Sequence, residues 1–198
     1  MAKIGWGKIL AGVATAAAAG AAYIYLKQRA TKALLYERVL SDGAFEIRRY
    51  RAMLAIQTIQ HGSRDRALGA GFGLLAGYMF GEGREGEEIP ITMPVLAESL
   101  GDGAWRISFL MPEGIDRESL EPPAQGIVVG EIPAREMAVV SVPGKPTDRL
   151  FAAKTAELQQ WIKAGQRTAG GAVEHGYYNS PLEPGPVRPN EILIRLVG

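Results

Sequence analysis

Hydrophobic positions recur with three different periods along this chain, and each period predicts a different kind of element. Ile9 to Leu26 is an uncharged run of 18 residues, bracketed by Lys3 and Lys8 on one side and by Lys27, Arg29 and Lys32 on the other. At 1.5 Å per residue the stretch from Trp6 to Tyr25 covers roughly 28 Å, close to the thickness of a hydrocarbon core, with Trp6, Tyr23 and Tyr25 where interfacial aromatics belong. Further on, the pattern alternates. Phe45-Glu46-Ile47 to Ile56 and Gly130-Glu131-Ile132 to Ser141 both read as strands that open with Glu-Ile, about 85 residues apart. Each is followed by a segment of helical period and then by two more β-rich runs.

In the first half the helix is predicted over Asp65 to Phe80, and the strands over Ile89 to Val95 and Trp105 to Met111, with Gly101 to Gly103 as the hairpin turn. In the second half Asp148 is an N-cap candidate ahead of Leu150, Phe151, Leu158, Trp161 and Ile162 at helical spacing. The closing strands are predicted over Val173 to Tyr178 and Glu191 to Val197. In the last of them Ile192, Ile194 and Leu196 face one way and Glu191, Leu193 and Arg195 the other, a half-buried antiparallel pattern. Glu113 to Gly126, with Pro122 and Pro123, links the halves. The organisation is therefore a doubled β-α-β-β unit, with residues 1–32 as a separate N-terminal segment and 33–198 as one domain.

The N-terminal segment reads as a single-pass membrane anchor. A cleaved signal peptide is the alternative, since Ala16 to Ala22 offers small residues at cleavage spacing; the protein would then be secreted or periplasmic. The apolar Tyr23 to Leu26 continuing beyond that stretch favours the anchor. The basic flanks are nearly balanced, which leaves the side of the membrane open. Gly12, Ala16 and Gly20 recur every four residues, a spacing that lets two such helices approach closely as a homodimer.

On the helix Asp65 to Phe80, Leu68, Leu75 and Met79 lie on one stripe. Gly69, Gly73 and Gly77 recur on another, joined by Phe72 and Ala76. Each glycine in a helix interior costs about 1 kcal/mol relative to alanine, so three at one spacing imply a close approach to the backbone, by a packed strand or helix or by a ligand. The spacing Gly69-x-Gly71-x-Gly73 is not that of a dinucleotide fingerprint, and no βαβ context precedes it.

Composition narrows the chemistry. A net charge of +1, with basic and acidic residues interspersed, gives no footprint for nucleic acid. The absence of cysteine removes disulfides, thiolate metal sites and covalent haem attachment. The chain has two histidines, His61 and His175, and neither Gly-x-Ser-x-Gly nor His-Glu-x-x-His, so no nucleophilic triad or zincin site can be assembled and the protein reads as a non-enzyme. The acidic run Glu82 to Glu88 lies in a Gly-rich segment that reads as a solvated loop.

Two motifs point to a family. Tyr178-Asn179-Ser180-Pro181, followed by Gly185-Pro186-Val187-Arg188-Pro189-Asn190-Glu191-Ile192, resembles the C-terminal signature of the SOUL haem-binding family, and Ile89-Pro90-Ile91-Thr92-Met93-Pro94-Val95 resembles its strand entry. The resemblance runs from about Tyr36 to Leu196. It implies an α+β fold in which the doubled units wrap into a distorted antiparallel β-barrel flanked by two helices, here preceded by one transmembrane helix. It also implies non-covalent, reversible binding of haem or a related porphyrin by a membrane-tethered buffer or carrier. A binding or regulatory module for another apolar ligand or a protein partner is the alternative reading. Carried over by motif position, the tetrapyrrole site comprises Phe72, Gly73, Ala76 and Gly77 with the loop Pro181 to Arg188, where Arg188 is placed to pair with a propionate. The family motif Tyr-Glu-Ile-Arg-His-Tyr reads Phe45-Glu46-Ile47-Arg48-Arg49-Tyr50 here, and a permanently protonated Arg49 cannot ligate iron. His61 and His175 are then the only imidazoles left as axial candidates.

Overall fold

The alternating segments assemble into a single sheet whose strand order is a palindrome. In the computed structural model, which describes residues 36–82, 87–144, 147–178 and 189–198, the elements are β1 (Tyr36–Asp42), β2 (Phe45–Tyr50), β3 (Met53–His61), α1 (Arg64–Met79), β4 (Val95–Gly101), β5 (Ala104–Leu110), a 3-10 turn (Arg117–Ser119), β6 (Val128–Ile132), β7 (Arg135–Val142), α2 (Asp148–Ala164), β8 (Thr168–Tyr177) and β9 (Asn190–Val197). The nine strands run β1-β2-β7-β9-β8-β4-β5-β3-β6, every neighbouring pair antiparallel. Leave out β1 and exchange β2 with β6, β3 with β7, β4 with β8 and β5 with β9, and the same order returns reversed. The two halves are thus related by a pseudo-twofold passing between β4 and β8.

Each long strand expected to open a half is in fact two. The first breaks at Arg51-Ala52 and the second at Pro133-Ala134, where proline lacks the N–H that a continuous ladder needs. After the break the chain crosses to the other wing: β2 pairs with β7 of the second half, and β3 with β6. The halves are interlocked rather than side by side. The strand predicted over Ile89 to Val95 starts only at Val95. The prolines at 90 and 94 keep the preceding residues out of the ladder, and Ile89 N–H instead donates to the Met79 carbonyl at 2.8 Å. The hairpin at Gly101 to Gly103 is present, with Gly101, Asp102 and Gly103 all at positive φ (87°, 51° and 70°).

The barrel implied by the family resemblance is not closed: the sheet is open, with β1 and β6 at its edges. Both of its faces nonetheless carry buried side chains. One face packs on α1 and α2 through Ile56, Ala97, Ile107, Phe109, Ala138, Val140, Ile192 and Ile194 with Leu75, Met79, Phe151, Leu158 and Ile162. The other carries Ala55, Leu96, Leu110, Met137, Val139 and Leu193, also buried. That is why β9 departs from the expected half-buried pattern: Asn190 to Ile194 are buried on both sides, because β9 lies inside the sheet between β7 and β8.

The N-cap of α2 is Thr147 rather than Asp148. Its hydroxyl accepts from Leu150 N–H at 3.2 Å, satisfying one of the free donors of the first turn. Among the described residues no helix is long and apolar enough to cross a membrane. The Ile9 to Leu26 run and the spacing of Gly12, Ala16 and Gly20 lie outside them.

Candidate ligand-binding site

The glycine-bearing helix α1 shows which glycine the packing needs. A Cβ added at Gly71 would stand 2.6 Å from Ile107 Cγ1 and 2.9 Å from its Cβ, so α1 rests on β5 at this point. Gly71 belongs to neither stripe read from the sequence. At Gly69 and Gly73 a Cβ would meet nothing within 4 Å, and both are exposed. Gly77 is buried, and the Glu82 carboxylate lies 2.6 Å from where its Cβ would be. Ala76 belongs to the core, and Phe72 is half-buried with its ring edge-on to Phe109 at 5.1 Å. Of the four α1 residues carried over by motif, Gly73 is therefore the one open to solvent. Arg188 and the loop Pro181 to Arg188 lie outside the described residues. His61 ends β3 and is exposed.

His175 is placed differently. On β8 the alternation Val173, His175, Tyr177 faces the helices. Opposite it α2 presents Asp148, Phe151, Ala152, Thr155, Ala156 and Gln159 along one stripe. The small side chains at 152, 155 and 156 leave a cavity of about 360 Å³, which Trp105 of β5 and Arg64 of α1 also line. His175 is 8% exposed and stacks on Phe151 at 4.4 Å, with the Trp105 ring at 5.7 Å. Its Nδ1 is enclosed and has no hydrogen-bond partner among the described residues. Burial, reinforced by the neighbouring Arg64 and partly opposed by Asp148, holds the imidazole down at about 4. It is neutral at pH 7, with a lone pair available to a metal or a donor. Arg64 lies over the Phe151 ring at 4.4 Å and pairs with Asp65 at 2.9 Å and Asp148 at 3.2 Å. Tyr177 brings a second enclosed polar atom: its hydroxyl has no partner among the described residues, and burial pushes it up to about 12.

Side chains from the two segments that carry the family resemblance, Arg48 and Glu46 on β2 and Tyr178 and Glu191 on either side of residues 179–188, meet in one buried network on the other face of the sheet. Arg48 grips Glu191 with two parallel bonds of 2.8 and 2.9 Å, both side chains being 4% exposed. Tyr178 donates to the same carboxylate at 2.6 Å, Arg48 Nε donates to Glu46 at 2.5 Å, and the Tyr36 ring lies under the guanidinium at 4.4 Å. Tyr178 and Glu191 stand on either side of residues 179–188, so this network holds the two ends of that loop together. Sequence reading assigned the loop to a ligand but missed the clamp, whose members lie 143 residues apart. Arg49, at the position of the family's histidine, is exposed and pairs with Glu37 at 3.1 Å and Glu136 at 3.5 Å. Among the described residues no cluster of three or more His, Asp or Glu is arranged to hold a metal ion.

Among the described residues this duplicated α+β domain carries a cavity between its helices and its sheet. The model of the family described as SOUL heme-binding protein matches residues 31–195, and the chain belongs to that family. No curated protein matches it by sequence. Among solved structures it is similar to the EcmrR C-terminal domain (TM-score 0.59, 12% identity, 82% of this chain and 98% of that one). It is also similar to a hydrolase from Listeria innocua (TM-score 0.55, 11% identity, 80% and 94%) and to EcmrR in a DNA complex (TM-score 0.59, 12% identity, 96% and 68%). At these identities the likeness is one of fold alone.

Proposed function

We propose that this protein binds a tetrapyrrole, haem or a related porphyrin, non-covalently and reversibly, in the cavity between α1, α2 and β8. The observation that carries this reading is His175: a buried, neutral imidazole with Nδ1 enclosed, lining a cavity walled by Trp105 and Phe151. The donor set fits a haem. An imidazole that is unprotonated at pH 7 meets iron without proton competition, and with Nδ1 shut in, Nε2 is the nitrogen left to do so. Trp105 supplies flat apolar surface for the macrocycle, Phe151 backs the imidazole, and the small residues Ala152, Thr155 and Ala156 supply room. At about 360 Å³ the cavity takes one edge of the ring and leaves the remainder over its mouth. Bound iron would give the site its colour and its affinity for axial ligands, whereas the chain itself binds, orients and shields. Family membership supports the ligand class, and the exposed glycine face of α1 around Gly73 is the competing position for the ring.

The test is a titration of hemin and of metal-free protoporphyrin IX into the full-length protein, followed by Soret absorbance and tryptophan fluorescence. Saturable one-to-one binding is expected, with hemin tighter than protoporphyrin and His175→Ala reducing hemin to the protoporphyrin level. Binding no better than to an unrelated protein of the same size would refute the reading and turn attention to a non-porphyrin ligand or a protein partner. In the same reading the Ile9 to Leu26 run tethers the domain to a bilayer. Carbonate extraction then leaves the protein in the membrane pellet, and release to the supernatant would show that it is not an integral anchor.

A further inference from the structure

His175 Nδ1 and the Tyr177 hydroxyl are polar atoms enclosed on the same face of one strand, and neither has a hydrogen-bond partner among the described residues. Both side chains are 8% exposed. Alternate residues of β8, they point together toward the helices, with ring centroids 6.5 Å apart and ring planes at 78°. Phe151 packs against both, stacked on His175 at 4.4 Å and tilted against Tyr177 at 6.0 Å.

The sheet around the pair is apolar. On β4 the register sets Ala97 opposite His175 and Val95 opposite Tyr177, and on β9 it sets Ile192 opposite His175. The preceding residue on this face of β8 is Val173. Arg64, Asp148, Thr155 and Gln159 line the cavity beside His175, yet none of them bonds Nδ1. Tyr177 does not line the cavity, so its effect on a ligand there passes through the imidazole.

An imidazole that gives Nε2 to iron carries its proton on Nδ1, and that outer N–H ordinarily donates to a partner that fixes the tautomer and the ring orientation. Enclosed without an acceptor, the N–H is costly. The proton then moves to Nε2, the nitrogen left to the cavity, where it removes the lone pair that iron needs. One water oxygen between the two rings accepts from Nδ1–H and from the phenol O–H, which satisfies both enclosed donors at once. Building on the reading of His175 as the iron ligand, we propose that Tyr177 is its positioning residue: through such a water it holds His175 in the Nδ1–H tautomer and keeps the Nε2 lone pair available to the cavity.

Tyr177→Phe removes the hydroxyl and keeps the ring that packs near Phe151. In the full-length protein, heteronuclear NMR of the imidazole nitrogens reads the tautomer directly, and a His61→Gln background leaves His175 as the one imidazole in the chain. Without ligand His175 is expected in the Nδ1–H form, and Tyr177→Phe is expected to move it to the Nε2–H form. An Nε2–H imidazole before the substitution, or a tautomer indifferent to it, overturns the proposal. In titrations Tyr177→Phe should weaken hemin about tenfold, the lower end of what a lost outer partner costs a metal site, while metal-free protoporphyrin IX binds as before. Unchanged hemin affinity, or equal weakening of both compounds, makes Tyr177 a packing residue only and also overturns the proposal. If hemin binds the wild type no more tightly than protoporphyrin IX, iron ligation by His175 is what fails, and the tautomer measurement still decides whether Tyr177 governs the imidazole.

Discussion

Gly71→Ala and Gly73→Ala, two residues apart on one helix, are expected to shift stability in opposite directions. At Gly73 the new methyl group meets nothing within 4 Å, so the substitution should return the helix-propensity difference alone, about 1 kcal/mol of stabilisation. At Gly71 the same methyl group would stand 2.6 Å from Ile107 Cγ1 and 2.9 Å from Ile107 Cβ. A Cβ cannot swing aside as a side-chain tip can, so helix and strand must part. Overpacking of this kind costs about 1–3 kcal/mol, from which the propensity gain of about 1 is subtracted, leaving a net loss of up to about 2 kcal/mol. For a domain of this size each kcal/mol moves Tm by about 2–4 °C, so the two variants should lie clearly on either side of the wild type in a thermal melt. Adding Ile107→Ala, which itself costs about 2–5 kcal/mol, should cost less in the Gly71→Ala background than in the wild type, since the clash goes with the side chain. Equal stabilisation by both alanines would refute the close approach of α1 to β5 at Gly71. The same positions discriminate between the two places for the ring. Gly73→Leu should leave hemin affinity unchanged; a protein that remains folded but no longer binds hemin would put the ring on the glycine face of α1 and remove it from the His175 cavity.

Three further outcomes follow from other contacts. Arg48→Met should cost about 3–5 kcal/mol in urea denaturation because it strands Glu191 in the interior, while Arg48→Met with Glu191→Leu should recover most of that loss; a single variant within about 1 kcal/mol of wild type would mean that the pair is not buried as described. His175 is neutral when folded, at about 4, and titrates near 6.5 when unfolded, so its contribution is present above pH 6.5 and is lost as the pH falls toward 4. Relative to His175→Gln the wild type should lose up to ~3 kcal/mol over that window, and parallel pH profiles of the two proteins would contradict a buried imidazole. Thr147→Ala should cost about 1 kcal/mol through the lost cap, more than Asp148→Ala, whose side chain is largely solvated; the reverse order would restore Asp148 as the cap.

What could be read in advance from the chain was whatever a local period encodes. The two helices, the Gly101 to Gly103 hairpin and the doubled organisation follow from spacings of two to four residues and from the repeat. The interlocking of the halves does not, because nothing in Phe45 to Ile56 states that its first six residues pair with β7 and its last with β6. Pro133 was the available signal for the second break; Arg51-Ala52 offers no comparable one. The glycine stripe shows the same limit from the other side. Gly69, Gly73 and Gly77 drew attention by their regularity, yet the helix needs Gly71, whose requirement arises from Ile107 on a strand some thirty residues later. His175 looked like an ordinary strand histidine, since the small residues of α2 that open space above it are read as helix formers until the two elements are brought together. The pairing of Arg48 with Glu191 was hidden by distance along the chain, although both lie in segments that the family resemblance had picked out.

The pseudo-twofold explains where binding capacity is placed. At its centre the helix-facing positions of β4 are Val95, Ala97 and Ser99 and those of β8 are Val173, His175 and Tyr177, with Ala97 directly opposite His175 in the register. A symmetric pair of histidines would put two imidazoles against each other across the axis and leave both short of apolar cover. Alanine at 97 instead leaves His175 free to stack on Phe151, and the small residues on α2 open the space above it on one side only. On the far face each side of the axis carries one paired carboxylate and guanidinium, Glu98 with Arg106 and Glu174 with Arg135, although the two guanidiniums come from β5 and β7, strands that the pseudo-twofold does not exchange. The duplicated framework supplies rigidity to both faces, and the departure from its symmetry at His175 is where the substitution described above should move binding without unfolding the sheet.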